Sequence, residues 1–122
     1  MMKQASHSKY DITWDNEQKA IVMEVRGFFK PEDGESFIKD YNSMIAKVNP
    51  SEYTLVVDPE DLKTSSQDMI PVLKGCFELY KSSGFKEVLM VTPTSAISTM
   101  QLKNIQKETG VKMEFVKSNP YK

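Results

Sequence analysis

Residues 53–84 have the sequence YTLVVDPEDLKTSSQDMIPVLKGCFELYKSSG, which predicts a strand, a loop and a helix in that order. Residues 53–57 form a nearly unbroken β-branched and apolar run, a pattern typical of a strand buried on both faces in a parallel sheet. Pro59 has no N–H to continue a ladder, so we expect the strand to end at Asp58. The polar loop that follows lies at the carboxyl end of a strand, where open α/β sheets usually place ligand or partner sites.

The helix after this loop has recognisable ends. Asp68 fits as its N-cap with Pro71 at the third helical position, because a proline is tolerated only in the first turn of a helix. Gly84 fits a left-handed residue that ends the helix. Gly75 in the helix interior costs about 1 kcal/mol relative to alanine, which predicts that a neighbouring backbone or side chain approaches it closely.

The amino-terminal part of the chain predicts a polar tail, a hairpin and a helix. Residues 1–9 are polar, so we expect a flexible tail in which His7, the only histidine, has no partners for a metal. Alternating polar and apolar residues over 10–15 and 20–26 predict two strands that pair as an antiparallel hairpin. Pro31 begins a helix that turns one apolar face toward the sheet.

The carboxyl-terminal part predicts another buried strand and a third helix. Residues 87–92 are apolar at every interior position, and Thr94 or Ser95 can cap a helix that ends at Gly110. The apolar residues of this helix spread around its circumference. Either a neighbouring element covers them, or they keep an apolar patch for a partner.

The order of elements, β-β-α-β-α-β-α-β, predicts an α/β fold with a mixed five-stranded sheet. Crossovers between parallel strands are right-handed, so the helices should lie mainly on one face. The last strand falls within 111–117 and is followed by a polar tail at 118–122. At 122 residues the chain fits a single domain, which we place at 10–117.

Composition limits the classes of function. A net charge of -1 gives no long-range field to attract nucleic acid. The one cysteine, Cys76, cannot form an internal disulfide, and residues 1–10 lack the apolar core of a signal peptide, so we expect a cytoplasmic protein. No apolar run approaches the roughly 18 residues of a membrane-spanning helix. We predict no cofactor and no metal.

The element order, together with VVDPEDLKTSSQDMIPVLKGCFELYKSSGFKEVLMV at residues 56–91, resembles the STAS domain, the fold of the anti-sigma-factor antagonists. The resemblance covers residues 10–116. Leu62 and Gly75 fall on positions that are typically apolar and glycine in that family, and Gly84 falls on its helix-ending glycine. The resemblance implies a STAS-like (SpoIIAA-like) fold and a regulatory role in protein binding.

The phosphorylation motif of that family, Asp-Ser-Ser-Gly, falls on Ser66, Gln67, Asp68 and Met69. Asp68 stands where the antagonists carry the serine that a kinase phosphorylates, although a shift of one or two residues would bring Ser66 or Ser65 to that place. The resemblance therefore implies the fold rather than a phosphorylation switch. Divergent SpoIIAA-like proteins, which also resemble lipid-binding CRAL-TRIO domains, lack the motif as well.

More than one role is possible for the acidic residues near the motif. Asp68 either caps the helix or, as a permanent negative charge, mimics a phosphorylated serine. The carboxylates of Asp58, Glu60 and Asp61 suggest a metal site or an acid–base pair, but exposed acids in a loop are ordinary and no histidine is spaced to join them. The sequence shows no residue that could act as a base to activate the loop serines as nucleophiles. Cys76 fits a small core residue.

We predict a non-enzymatic STAS-like module, regulatory in role, that binds another protein through residues 59–68 and the start of the second helix, with the third helix as a further candidate contact. We expect the protein in the cytoplasm of a bacterium or its phage. The sequence does not decide whether it forms a homodimer. The predicted contact residues are Glu60, Asp61, Lys63, Thr64, Ser65, Ser66, Asp68 and Met69. The alternative is a small-molecule or lipid carrier, for which we expect an apolar cavity of several hundred Å3. A hydrolase is the third hypothesis.

Overall fold

The computed structural model describes residues 2–63 and 66–121. Within them, six strands form one sheet, accompanied by three α-helices. The elements are β1 (Met2–Ser6), β2 (Tyr10–Asp15), β3 (Ala20–Gly27), α1 (Pro31–Ile45), β4 (Thr54–Leu62), α2 (Ile70–Ser83), β5 (Glu87–Val91), α3 (Ala96–Thr109) and β6 (Glu114–Val116). None of the helices in the described part of the chain has the length and apolar content to span a bilayer.

The sheet is mixed, as predicted. β1, β2 and β3 pair antiparallel, whereas β3, β4, β5 and β6 are parallel, and the spatial order follows the chain. Each parallel pair is joined through a helix, and the three helices pack on the same face of the sheet. The predicted α/β fold is therefore confirmed.

Residues 2–6 form the edge strand β1, so the prediction of a flexible tail is wrong over these residues. Met2 lies opposite Trp14 in the antiparallel ladder. No apolar alternation marks this strand, because its pairing uses backbone N–H and C=O groups of β2 that would otherwise form an open edge. The described sheet has six strands rather than five for this reason. His7, which follows β1, stacks on the ring of Tyr10 with centroids 4.5 Å apart.

The main core lies between the helices and one face of the sheet, and alternate residues of the strands point into it. Its fully buried large side chains include Tyr10, Ile12, Ile21, Met23, Tyr41, Met44, Leu55, Phe77 and Met90. The opposite face carries a small buried cluster of Val22, Val56, Leu89 and Val91. Tyr121, from the segment predicted as a polar tail, packs against this cluster and helps to cover the sheet.

Two glycines of the second helix test the predictions made for it. Gly84 ends α2 in the left-handed conformation with φ 75°, as predicted. A Cβ atom on Gly75 would have nothing within 4 Å, so the predicted close approach at this residue is wrong. The contact that needs a glycine is made by Gly34 of α1, which lies against α2.

Candidate functional site

The segments that leave the parallel strands lie side by side along one edge of the sheet. Because β3, β4 and β5 are parallel neighbours, the chain leaves all three at this edge and enters α1, α2 and α3 in turn. We call the residues concerned, 28–35, 58–74 and 92–100, the carboxyl edge. Its middle segment contains the residues predicted to contact a partner.

β4 continues past Pro59 to Leu62, so the prediction that the strand ends at Asp58 is wrong. Asp58 and Asp61 are three residues apart, but they pair with residues of β3 that are only two apart. β4 therefore carries one extra residue in a β-bulge, and a bulge is one of the few places where a sheet tolerates proline. The loop that follows is shorter than predicted, and the end of β4 contributes to the carboxyl edge.

The prediction that Asp68 caps the second helix is also wrong. A single turn of 3-10 helix, Gln67–Met69, precedes α2, which begins at Ile70 and has Pro71 at its second position. The carboxylate of Asp68 accepts a hydrogen bond from the Ser66 hydroxyl instead. Asp68 is therefore an exposed charge on a short turn, and its side chain does not cap α2.

The structure exposes some predicted contact residues and buries one. Asp61 and Lys63 are exposed, and the Lys63 N–H donates to the Gly27 carbonyl at 2.9 Å, which ties the loop to the end of β3. Met69 is only 1% exposed, because its apolar side chain is buried in the core. The prediction that Met69 meets a partner at the surface is therefore corrected. Outside the described residues lie Thr64, Ser65 and the side chain of Glu60.

The acidic residues at the end of β4 are separated by the bulge. Asp58 is 3% exposed, whereas Asp61 on the other side of the bulge is exposed. Within residues 2–63 and 66–121, no group of three or more His, Cys, Asp or Glu could hold a metal ion. Of these carboxylates, Asp61 contributes an exposed charge to the carboxyl edge.

An apolar pocket lies beneath the carboxyl edge. Its volume is about 40 Å3, and it is partly open. The carboxyl edge contributes to its wall Phe29, Gly34, Pro59, Leu62, Met69, Val72 and Leu73. Buried core residues, among them Cys76 and Met90, complete the wall. Burial raises the pKa of the Cys76 thiol to about 12, so the thiol stays protonated at neutral pH and behaves as a small apolar side chain.

Large apolar side chains are exposed on both sides of the loop that follows β4. In the described part of the chain they are Phe28 at 43% exposed, Ile97 at 62% and Met100 at 63%, and all three belong to the carboxyl edge. Phe28 follows β3, whereas Ile97 and Met100 lie in the first turns of α3, whose N-cap is Ser95, as predicted. The sequence left two alternatives for the apolar residues of α3, coverage by a neighbouring element or an exposed patch. Ile97 and Met100 form an exposed patch.

None of these three side chains was among the predicted contact residues. For Ile97 and Met100 the sequence signal was present, because the apolar residues of α3 exceed a single stripe. For Phe28 it was absent, because two adjacent phenylalanines before Pro31 do not show which of them is buried. Phe29 is the buried one, at 9% exposed.

Exposed charges on the carboxyl edge are mostly acidic. Among its described residues, four exposed carboxylates stand against two exposed lysines. The carboxylates are Glu32, Glu35, Asp61 and Asp68, and the lysines are Lys30 and Lys63. The edge is therefore locally negative, although the whole chain carries a net charge of only -1.

Asp33 is held inside this acidic edge by two donors. The Lys30 N–H donates to its carboxylate at 2.9 Å, and the Lys9 ammonium lies 3.2 Å from the same oxygen. These interactions, the backbone hydrogen bond first, lower the pKa of Asp33. They also fix the start of α1 against the region between β1 and β2.

Among solved structures, the chain is similar over nearly its whole length to an uncharacterised protein of the DUF3478 family with a SpoIIAA-like fold, from Shewanella loihica PV-4. The TM-score is 0.66 at 15% sequence identity, and the match covers 94% of this chain and 92% of that one. The chain therefore has a SpoIIAA-like fold, and the fold implied by the STAS resemblance is confirmed. No family model matches the chain, and the search of curated proteins finds no match.

Proposed function

We propose that this chain is a non-enzymatic, STAS-like protein-interaction module that regulates a partner protein, in the cytoplasm of a bacterium or its phage. The partner binds residues 59–68 and the start of α2. The observation that supports this most is the position of the exposed apolar side chains. They flank the loop after β4 on both sides along the carboxyl edge.

This arrangement matches the composition of protein interfaces. Single exposed apolar residues are ordinary on a protein surface, but several along one edge favour an interaction site. Phe28 and Met100 would supply apolar contact area, and the charged residues between them, Asp61 and Asp68, would form part of a polar rim. Rim charges contribute mainly to partner choice and to the rate of association.

The size of the pocket favours the protein binder over the carrier. Pockets that enclose a small molecule have volumes of about 300–1,000 Å3 and bury most of the ligand. The pocket of this chain has the apolar wall that a carrier needs, but its volume is about 40 Å3. A lipid chain would need the core to open, and a protein partner would not.

Photo-crosslinking in cells tests the proposal. A photoreactive phenylalanine analogue is placed at Lys63 or at Asp68, both exposed on the carboxyl edge. The matched control is Glu17, exposed in the turn between β2 and β3 at the opposite edge of the sheet. We expect one protein adduct of defined mass from positions 63 and 68 and none from position 17. The same adduct from all three positions, or from position 17 alone, would contradict the proposed surface.

A further inference from the structure

The apolar pocket and the proposed partner surface share their residues. Pro59 and Leu62 come from the end of β4, Met69 from the turn after it, and Phe29 from the segment after β3. Leu62 is half-buried, so part of this wall reaches the surface. A partner that covers residues 59–68 therefore also covers the pocket.

We propose that the pocket is a socket for one large apolar side chain of the partner, leucine or methionine, carried on a segment with lysine or arginine beside it. This inference rests on the proposed function and names the chemistry of its partner. The socket is the part of the surface where most of the binding energy is concentrated.

The size and the wall of the pocket fit a single side chain. A volume of about 40 Å3 corresponds to the space of about three water molecules, since one water needs at least about 10–15 Å3 on this measure. Three methyl-sized groups are the end of a leucine or a methionine side chain. Water in such an apolar pocket has few partners for hydrogen bonds, so an apolar group displaces it at little cost. Binding hot spots are typically side chains of this kind in a well-packed pocket.

The charge of the surroundings selects the flanking residues. The exposed carboxylate of Asp68 lies on the turn that also provides Met69 to the wall. Glu32 and Glu35 lie beside Gly34, which contributes to the wall from α1. A partner segment with lysine or arginine next to its apolar side chain would meet opposite charge here, and an acidic segment would be repelled.

A displayed library of random 12-residue peptides, selected on the full-length protein, supplies the probe. We expect enriched peptides to carry one leucine or methionine next to lysine or arginine. Leu73→Phe, which adds volume to the wall, should weaken the best peptide about tenfold. The matched control is Leu79→Phe on the same helix, at a partly buried residue that is not part of the wall, and it should leave affinity unchanged. Thermal melts of both variants confirm that they are folded.

Methionine methyl signals in NMR give a readout that does not depend on a variant. Met69 and Met90 belong to the wall, whereas Met44 is equally buried in the core away from the pocket. The peptide should shift the signals of Met69 and Met90 and leave that of Met44 in place.

Three results would overturn the socket. If a peptide binds and shifts amide signals of residues 61–63 but not the two methyl signals, the socket is wrong and the proposed function stands. If hexanol shifts the methyl signals and no peptide does, the pocket holds small apolar molecules and the socket is wrong. If the enriched peptides are acidic, or if none is enriched over a selection without protein, the inferred partner chemistry is wrong. The crosslinking experiment at positions 63 and 68 then decides the proposed function separately.

Discussion

Val72 occupies the space that a side chain on Gly34 would need: its Cγ1 atom lies 2.5 Å from the position of a Cβ atom on that glycine. This contact joins α1 to α2 beside the apolar pocket, and both residues belong to the pocket wall. The spacing of the two helices, and with it the shape of the proposed socket, therefore depends on a residue without a side chain at this place.

Gly34→Ala should destabilise the fold by about 1–3 kcal/mol, because a methyl group at this contact overpacks the interface of α1 and α2. Val72→Ala in the same chain should recover part of the loss. Gly75→Ala is the matched control: its Cβ atom would meet nothing within 4 Å, so it should stabilise α2 by about 1 kcal/mol. Urea denaturation measures all three. Equal effects of the two alanines would show that the helix contact has been misjudged.

Tyr10→Phe should lower the free energy of unfolding by about 1–2 kcal/mol, because it removes a hydrogen bond to a charged group. The Tyr10 hydroxyl donates to the Asp40 carboxylate at 2.6 Å and so links β2 to α1. Asp40→Asn keeps an acceptor oxygen and should cost less than Tyr10→Phe. Thermal melting compares the two variants. A lower melting temperature for Asp40→Asn than for Tyr10→Phe would contradict this prediction.

Alkaline pH should destabilise the fold. Burial raises the pKa of Cys76 from 9.0 to about 12 and that of Tyr41 from 10.0 to about 12. The folded chain therefore binds more protons than the unfolded chain between these values, so the stability is complete below pH 9.0 and falls as the pH rises toward 12. Urea denaturation at several pH values across this range should show the loss. In Cys76→Ala the decrease should begin about one pH unit higher, and an unchanged profile would contradict the role of the thiol.

Asp68→Ala should separate binding from stability. The side chain is exposed and its bond to Ser66 lies within one short turn, so stability should change by less than about 0.5 kcal/mol. Partner affinity should fall several-fold, because a charge on the proposed surface is lost. If stability falls as much as binding does, Asp68 has a structural role after all.

Ile97→Ser combined with Met100→Ser should leave the melting temperature nearly unchanged, because both side chains are more than half exposed. The double variant should lower the affinity for the partner, because it removes exposed apolar side chains from the carboxyl edge. Lys39→Ser, at an exposed residue in the middle of α1, is the control for surface substitution. An effect of the control equal to that of the double variant would exclude a specific surface on α3.

Local rules predicted the parts of the fold that depend on local chemistry. Ser95, Gly84 and Gly110 end or begin helices as expected, because capping requires only neighbouring residues. β1 could not be predicted, because its polar residues become a strand only when the edge of β2 is available. The continuation of β4 past Pro59 depends on a bulge against β3, and a bulge depends on the register of two strands.

The sequence predicted where the candidate site lies but not all of the residues that form it. The loop after β4 lies at the carboxyl edge, as its strand predicted, since parallel strands end together. Met69 was placed on the surface because α2 was expected to begin after an Asp68 cap. The short turn before Ile70 changes where that side chain goes. The apolar pocket combines residues from three helices, three strands and two connecting segments, and no local pattern specifies such a set.

Native mass spectrometry of the protein isolated from its own cells shows whether the chain binds a partner protein or a small apolar molecule. We expect a complex with a second, different protein, and we expect Asp61→Lys with Asp68→Lys to abolish the complex while leaving the fold intact. The proposed function would be contradicted if the chain carried a lipid or another small apolar molecule and bound no protein, either unmodified or as the double variant.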